Sequence, residues 1–338
     1  MRQNIFLLLI ASLTISWIGC THEFEPSYPN TPMGNMDALW DIIDQRYCFV
    51  EEKGIDWDDV HTRFQRKVKL HQRHYEQSNV ALFDLLAAML NELHDGHVNL
   101  YSSWDVSRCS EWYDGYEDNF NEQLLYDQYL TNYRVAGGLQ YQKIHHDSIA
   151  YIYYSSFSSS CSEVYMENAL TLMGKCKGLI LDVRNNGGGN LENSYLLAAP
   201  FFTDNQIVGY WQHKIGPGHS DYSEEEEMHM DIARGTWKKK VVVLCNRHSY
   251  SATNTFLSIM RYADNVVLMG GISGGGGGMP MSYELPNGWL VRFSSVKMYD
   301  CNHQSIEEGI TPDIEVTLVS EDKDDIIESA IDYILHQP

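Results

Sequence analysis

Leu181-Asp182-Val183-Arg184-Asn185-Asn186-Gly187-Gly188-Gly189-Asn190 starts as an apolar run of strand length and ends in three glycines ahead of a helical pattern. Successive glycines let backbone N–H groups face a cavity without side-chain obstruction, which suits an oxyanion or a phosphate. No Lys-Ser/Thr pair follows, so a nucleotide P-loop is excluded, and the G-x-G-x-x-G spacing is absent. A plain tight turn is the competing reading at this point.

Outward from this stretch, residues 149–154, 178–183, 241–245 and 265–269 are short apolar runs of strand length. Helical patterns fall between them at 162–173, 191–201 and 252–262, and an amphipathic helix closes the chain at 321–335. Strands alternating with helices predict an α/β core with largely parallel pairing. Upstream the texture is helical. Asn35 is read as the cap of a helix carrying Leu39, Ile42, Ile43 and Tyr47. Asp56 caps a second with Trp57, Val60, Phe64 and Val68 on one face, and a third spans 79–93. Residues 101–135 are rich in Tyr, Asp and Asn with weak periodicity, and the charge runs 224–227 and 238–240 read as solvated loop.

The chain has 338 residues, with 46 Asp+Glu against 24 Lys+Arg, a formal net charge of −22. That balance argues against a nucleic-acid partner, which requires a basic footprint. No apolar run reaches the roughly 20 residues of a membrane-spanning helix. At the N-terminus, Arg2 precedes an apolar run over 5–18 that closes on Gly19-Cys20. A basic start, a short apolar stretch and a small residue before the cut describe a secretory signal. The cysteine after Gly19 resembles a bacterial lipobox, which predicts lipidation of Cys20 and attachment to a membrane, on the periplasmic side or the cell surface. The expected layout is a signal at 1–19, a tether at 20–34, a helical domain at 35–100, an irregular insert at 101–145 and an α/β core at 146–338. Six further cysteines allow 15 pairings and contain no C-x-x-C pair.

Three more segments carry possible chemistry. His94-Asp95-Gly96-His97 follows the third helix; two histidines three apart with no HExxH anywhere are weak evidence for metal. Arg247-His248-Ser249-Tyr250-Ser251-Ala252-Thr253-Asn254 sits between a strand and an apolar helix, where a serine serves either as cap or as nucleophile. Residues 270–278 are glycine except for Ile272 and Ser273 over most of their length and formally contain G-x-S-x-G. That elbow requires a helix directly after the serine, which Gly276, Gly277, Gly278 and Pro280 forbid.

In this order, Leu93-His94-Asp95-Gly96-His97, residues 181–189, 249–254 and 270–277, and Glu307-Glu308-Gly309-Ile310-Thr311-Pro312-Asp313 resemble the carboxyl-terminal processing, or tail-specific, serine peptidase family, tricorn core included. The resemblance spans about residues 35–335. It implies a spiral α/β core related to crotonase and Clp protease, a peptide or protein substrate and no cofactor or metal. Ser251 matches the family nucleophile, with an oxyanion hole from Ala252 N–H and that of Gly188 or Gly189. Processing proteases pair the serine with a lysine; here Gly276 stands in that place, which argues against a Ser–Lys dyad. The tricorn-like branch uses a histidine matched by His97 and a glutamate matched by Glu307, with Glu308 close behind. Where tricorn has a serine beside its histidine, this chain has Gly96, and no recognisable PDZ domain lies between His97 and Tyr151. The alternative is a non-catalytic binding module, as in the retinoid-binding interphotoreceptor protein, which resembles the same core.

Overall fold

The structure is a computed structural model that describes residues 28–233 and 235–336. The predicted signal, Cys20 and most of the predicted tether lie outside the described residues.

Four helices open the described chain: α1 (Pro32–Arg46), α2 (Trp57–Leu70), α3 (Gln72–Gln77) and α4 (Asn79–Asn91). Asp56 caps α2 as expected, accepting Asp59 N–H at 2.9 Å. The cap of α1 is Thr31 and not Asn35: Pro32 at the first helical position presets the backbone, and Thr31 Oγ1 accepts Gly34 N–H at 3.1 Å. Asn35 lies inside the helix, buried, with its amide on Thr31 O and Asn30 Oδ1.

The main sheet has seven strands. They are β2 (Arg134–Ala136), β3 (Leu139–Ile144), β4 (Ile149–Tyr154), β5 (Gly178–Asp182), β8 (Val241–Cys245), β9 (Val266–Gly270) and β12 (Ile314–Glu315). The spatial order is β12-β9-β8-β5-β4-β3-β2, parallel from β12 to β4, with β3 and β2 added antiparallel. Successive side chains serve opposite faces. Leu179 and Leu181 join the core under α6 (Glu163–Leu172), α7 (Leu191–Ala198) and α8 (Ala252–Met260). Ile180 joins a second core with α9 (Asp325–His336) and residues 125–130, just after the short α5 (Glu122–Leu124). A strand buried on both faces reads as a continuous apolar run, which is why β4, β5, β8 and β9 were visible in sequence. Two parts of the expected irregular insert are ordered as strands: residues 134–136 and 139–144 extend the main sheet.

A second sheet holds β1 (Asn99–Tyr101), β6 (Gln206–His213), β7 (Glu226–Met230), β10 (Gly278–Glu284) and β11 (Leu290–Tyr299). The N-terminal helices share one core with it: Leu86, Met89 and Phe64 cluster with Val291 and Phe293. Burying a leucine such as Leu86 (0% exposed) contributes roughly 2 kcal/mol. The helical segment is therefore joined to residues 285–293 by packing, with β1 and β11 as the shared seam. Glu226 and Glu227, expected in a loop, lie in β7, where a sheet edge tolerates charge.

Candidate active site

The site forms where the carboxyl ends of the adjacent parallel strands β5 and β8 open into loops. After β5 the chain makes the glycine turn 187–189; after β8 it makes residues 246–251 and enters α8. Asn185 and Asn246 clasp the two loops reciprocally: Asn246 Nδ2 donates to Asn185 Oδ1 at 2.7 Å and Asn185 N–H to Asn246 Oδ1 at 3.0 Å. Tyr250 N–H donates to Asn186 O, and Ser251 N–H to Gly275 O at 2.9 Å. Ser251 is thus held between the two glycine-rich segments.

Held there, Ser251 has φ 59° and ψ −122°, a left-handed conformation that a non-glycine residue adopts at a cost of order 1–3 kcal/mol. Its side chain caps nothing in α8. The hydroxyl meets His97 Nε2 at 2.9 Å, across 154 residues of chain. His97 arrives from the turn after α4, two residues ahead of β1. Because Asn99 is registered with Arg292 in the antiparallel β1–β11 pair, His97 falls opposite Ser294, and Ser294 Oγ lies 3.3 Å from His97 Nδ1. Both ring nitrogens therefore face hydroxyls. Burial pushes the His97 pKa down to about 4; the Asp95 charge opposes this, and Arg292 and Lys53 assist it.

Asp95 fixes the turn that carries His97. Its Oδ1 accepts His97 N–H at 2.7 Å and its Oδ2 accepts the Tyr47 hydroxyl at 2.7 Å. Tyr250 also donates to Oδ1, at 3.3 Å, and its ring lies against the imidazole with centroids 4.9 Å apart. Trp112 stacks on the other side of Tyr250 at 4.3 Å.

Glu307 is buried but is not behind the imidazole: it makes no hydrogen bond or ion pair with His97. Its Oε2 accepts Gly277 N–H at 2.8 Å and its Oε1 lies 3.4 Å from Lys53 Nζ. The turn after β11 aims it at the glycine strand, where Lys53 meets it. Burial and then the charge of Asp95 hold its carboxyl well above the usual range, against Lys53. Glu308 is exposed. The expected carboxylate contact is replaced by the Ser294 hydroxyl.

Of the expected oxyanion donors, Gly188 N–H is committed to Asn186 Oδ1 at 3.0 Å, so it is unavailable in this form. The N–H groups of Gly189 and Ala252 have no partner among the described residues. Gly188 itself must be glycine: φ is +93°, and a β-carbon there would lie 2.8 Å from Ser251 Cβ and 2.9 Å from Ala252 N. Ala252 opens α8, so its N–H stands at the positive end of a nine-residue helix.

A side chain at Gly276, where a processing protease would have lysine, would meet the Tyr250 ring at 2.5 Å. Tyr250 fills that space. Ser273, the serine of the rejected elbow, is 0% exposed and donates to Asn254 Oδ1 at 2.6 Å. Among the described residues no three His, Cys, Asp or Glu side chains converge as a metal site. Tyr250 and Ser294 were not singled out from sequence; the register of β1 against β11, which places Ser294, has no local signature.

A family model for peptidase family S41 matches residues 148–316, and one for the tricorn protease C1 domain matches residues 28–91. The tail-specific protease of Haemophilus influenzae is 27% identical over 189 residues, 53% of this chain and 26% of that protein. The carboxy-terminal processing protease CtpA of Bacillus subtilis is 26% identical over 180 residues, 53% of this chain and 37% of that one. The chain thus spans about a quarter to two fifths of the length of these curated relatives. A crystal structure of a candidate peptidase from Parabacteroides merdae is 42% identical, covers 91% of this chain and 98% of that one, and superposes with a TM-score of 0.85. With the S41 model spanning half of the sequence and that structure following nearly all of the described fold, the chain belongs to peptidase family S41, a family of serine-type peptidases.

Proposed function

We propose that the protein is a serine endopeptidase in which Ser251 is the nucleophile and His97 the general base. The observation that carries this is the 2.9 Å contact of Ser251 Oγ with His97 Nε2 at a strained turn on the N-terminus of α8. A histidine with a pKa near 4 is neutral at physiological pH, so its Nε2 lone pair is unprotonated and faces the Ser251 hydroxyl. Ser251 Oγ attacks the peptide carbonyl carbon as its proton passes to His97 Nε2. The oxyanion is met by Ala252 N–H and Gly189 N–H. His97 then protonates the leaving amine, the C–N bond breaks, and water, activated by the same imidazole, hydrolyses the acyl-enzyme. Ser294 accepts from His97 Nδ1–H and so keeps Nε2 as the acceptor nitrogen.

The test is labelling with a serine-directed phosphonate together with hydrolysis of a peptide library. Wild-type protein should take label and cleave, and Ser251→Ala should do neither while melting at nearly the wild-type temperature. A wild-type protein that takes no label at pH 7 would favour the binding-module alternative.

Export and lipid anchoring through Cys20 belong to the same proposal and rest on the N-terminal sequence alone: Arg2, the apolar run and Gly19-Cys20. On a chain with net charge −22, anionic headgroups would repel the surface, so a lipid is the fitting anchor. Cys20→Ser should move the protein from the membrane to the soluble fraction; an unchanged fractionation would count against it.

A further inference from the structure

The cavity beside Ser251 has a volume of about 660 Å³, and its ionisable wall is basic. Its charged lining groups are Arg108 and Arg292, and no aspartate or glutamate lines it; burial keeps His97 neutral there, and His248 faces Asp118 at 3.3 Å. This runs against a chain in which 46 acidic residues outnumber 24 basic ones.

A third arginine nearby shows what a structurally committed guanidinium looks like here. Arg247 donates from Nε and Nη2 to Trp112 O at 2.8 and 2.6 Å, and from Nη1 to Ser273 O at 2.8 Å. Arg292 makes a single long contact, Nη1 to Asn99 Oδ1 at 3.4 Å. Arg108 has no hydrogen-bond or ion-pair partner among the described residues. Their remaining donors are free for a ligand in the cleft.

Placement is equally specific. Arg292 and Ser294 are two apart on β11, so they share a face, and Ser294 touches the His97 ring. A guanidinium on Arg292 therefore stands one strand step from the reacting pair. Arg108 reaches the same cavity from the segment after β1. Planar forks with unused N–H donors match the two oxygens of a carboxylate, and a half-enclosed cleft strengthens the contact relative to open water.

We propose that this cleft selects peptides bearing a carboxylate close to the bond that Ser251 cuts, with Arg108 and Arg292 as the specificity-determining residues. The carboxylate is an aspartate or glutamate side chain within the peptide. The proposal rests on the peptidase function given above.

Matched fluorogenic peptides that differ only by Glu or Gln at each position around the cut, each with a free or an amidated C-terminus, test it. At one position around the cut, kcat/KM should be about tenfold higher for the Glu form than for the Gln form, mostly through KM. A Glu preference that survives amidation supports the selection; a preference seen only with a free C-terminus overturns it. Arg108→Gln and Arg292→Gln should each pull the Glu/Gln ratio toward one. Should one of them fail to fold, the other and Arg292→Lys, which keeps charge without the fork, are read in its place. Equal rates for both forms everywhere overturn the proposal, as does a ratio unchanged in the folded variants. If nothing is cleaved and no phosphonate label is taken, the peptidase function has failed separately. Anisotropy binding of the Glu and Gln peptides to Ser251→Ala then decides: about tenfold tighter binding of Glu supports the selection, and equal affinity overturns it.

Discussion

Ser294 Oγ lies 3.3 Å from His97 Nδ1, on the far side of the imidazole from the Ser251 hydroxyl. A neutral imidazole that accepts at Nε2 must carry its proton at Nδ1, and Ser294 is the acceptor there. Ser294→Ala should therefore lower kcat by about tenfold to a hundredfold, with KM and the melting temperature little changed, as when an orienting partner of a working histidine is lost. Steady-state kinetics and a thermal melt check this together. A variant with full kcat would remove Ser294 from the mechanism.

The pH profile follows from the burial of His97. With its pKa lowered to about 4, the base form dominates above that pH, so kcat/KM should rise through about pH 4 and be flat near neutrality. Arg292 is one of the cations lowering it, so Arg292→Gln should move the midpoint upward. For stability the sign is the same. Between about 4 and the ordinary 6.5, the unfolded chain binds the extra proton, so His97 makes the fold more stable as pH rises across that window. A wild-type activity limb near 6.5 would contradict the burial argument.

Much of this arrangement was legible beforehand, and the reasons are local. Strands β4, β5, β8 and β9 are buried on both faces and appear as unbroken apolar runs. Asp56 sits before a helix with a single apolar face and caps it. Strand β11 was not legible: Arg292, Ser294, Ser295 and Lys297 interrupt its apolar residues, Arg292 because it faces the cleft and Lys297 because it pairs with Glu52. The contact between Ser294 and His97 joins residues 197 apart, and only strand register sets it. Chain order could bring Glu307 to the neighbourhood, but the direction of its side chain depends on Lys53 and Gly277, which come from two other segments.

Gly96→Ser would place beside His97 the residue that tricorn-like relatives are expected to have, and it should inactivate. A β-carbon at position 96 would lie 2.6 Å from Trp112 Nε1 and 3.1 Å from the Tyr250 hydroxyl. The indole would have to move, releasing Tyr250 from between Trp112 and the imidazole. A fall in kcat/KM of at least about tenfold is expected, since small misplacements of reacting groups are costly. Activity at or above wild type would show that the loop accommodates the side chain.

Asp324→Ala should destabilise the fold by about 3 kcal/mol in urea unfolding. Arg184, Asp182 and Asp324 are all 0% exposed, and Asp324 Oδ2 meets Arg184 Nη1 at 2.9 Å. Asp324 Oδ1 also accepts the N–H groups of Ile326 and Ile327, so the change removes an ion-pair partner and the start of α9 together. A loss below about 1 kcal/mol would mean that Asp182 alone suffices for Arg184.

Glu307→Gln separates a triad carboxylate from a buried structural one. The glutamate contacts Gly277 N–H and Lys53, and an amide oxygen can keep the first of these. Because Glu307 does not touch the imidazole, its loss should lower kcat by less than about tenfold, against on the order of 10⁶ for Ser251→Ala. Its pKa is raised in the fold, so above the ordinary 4.5 the native state holds a proton that the unfolded chain has released. Stability from this group therefore falls as pH rises through the raised value, and glutamine is free of that loss. The melting temperature of the variant relative to wild type should accordingly climb between pH 5 and pH 8. Melts at the two pH values and kinetics at one decide the matter: a loss of cleavage as deep as that of Ser251→Ala would return the carboxylate to the catalytic set.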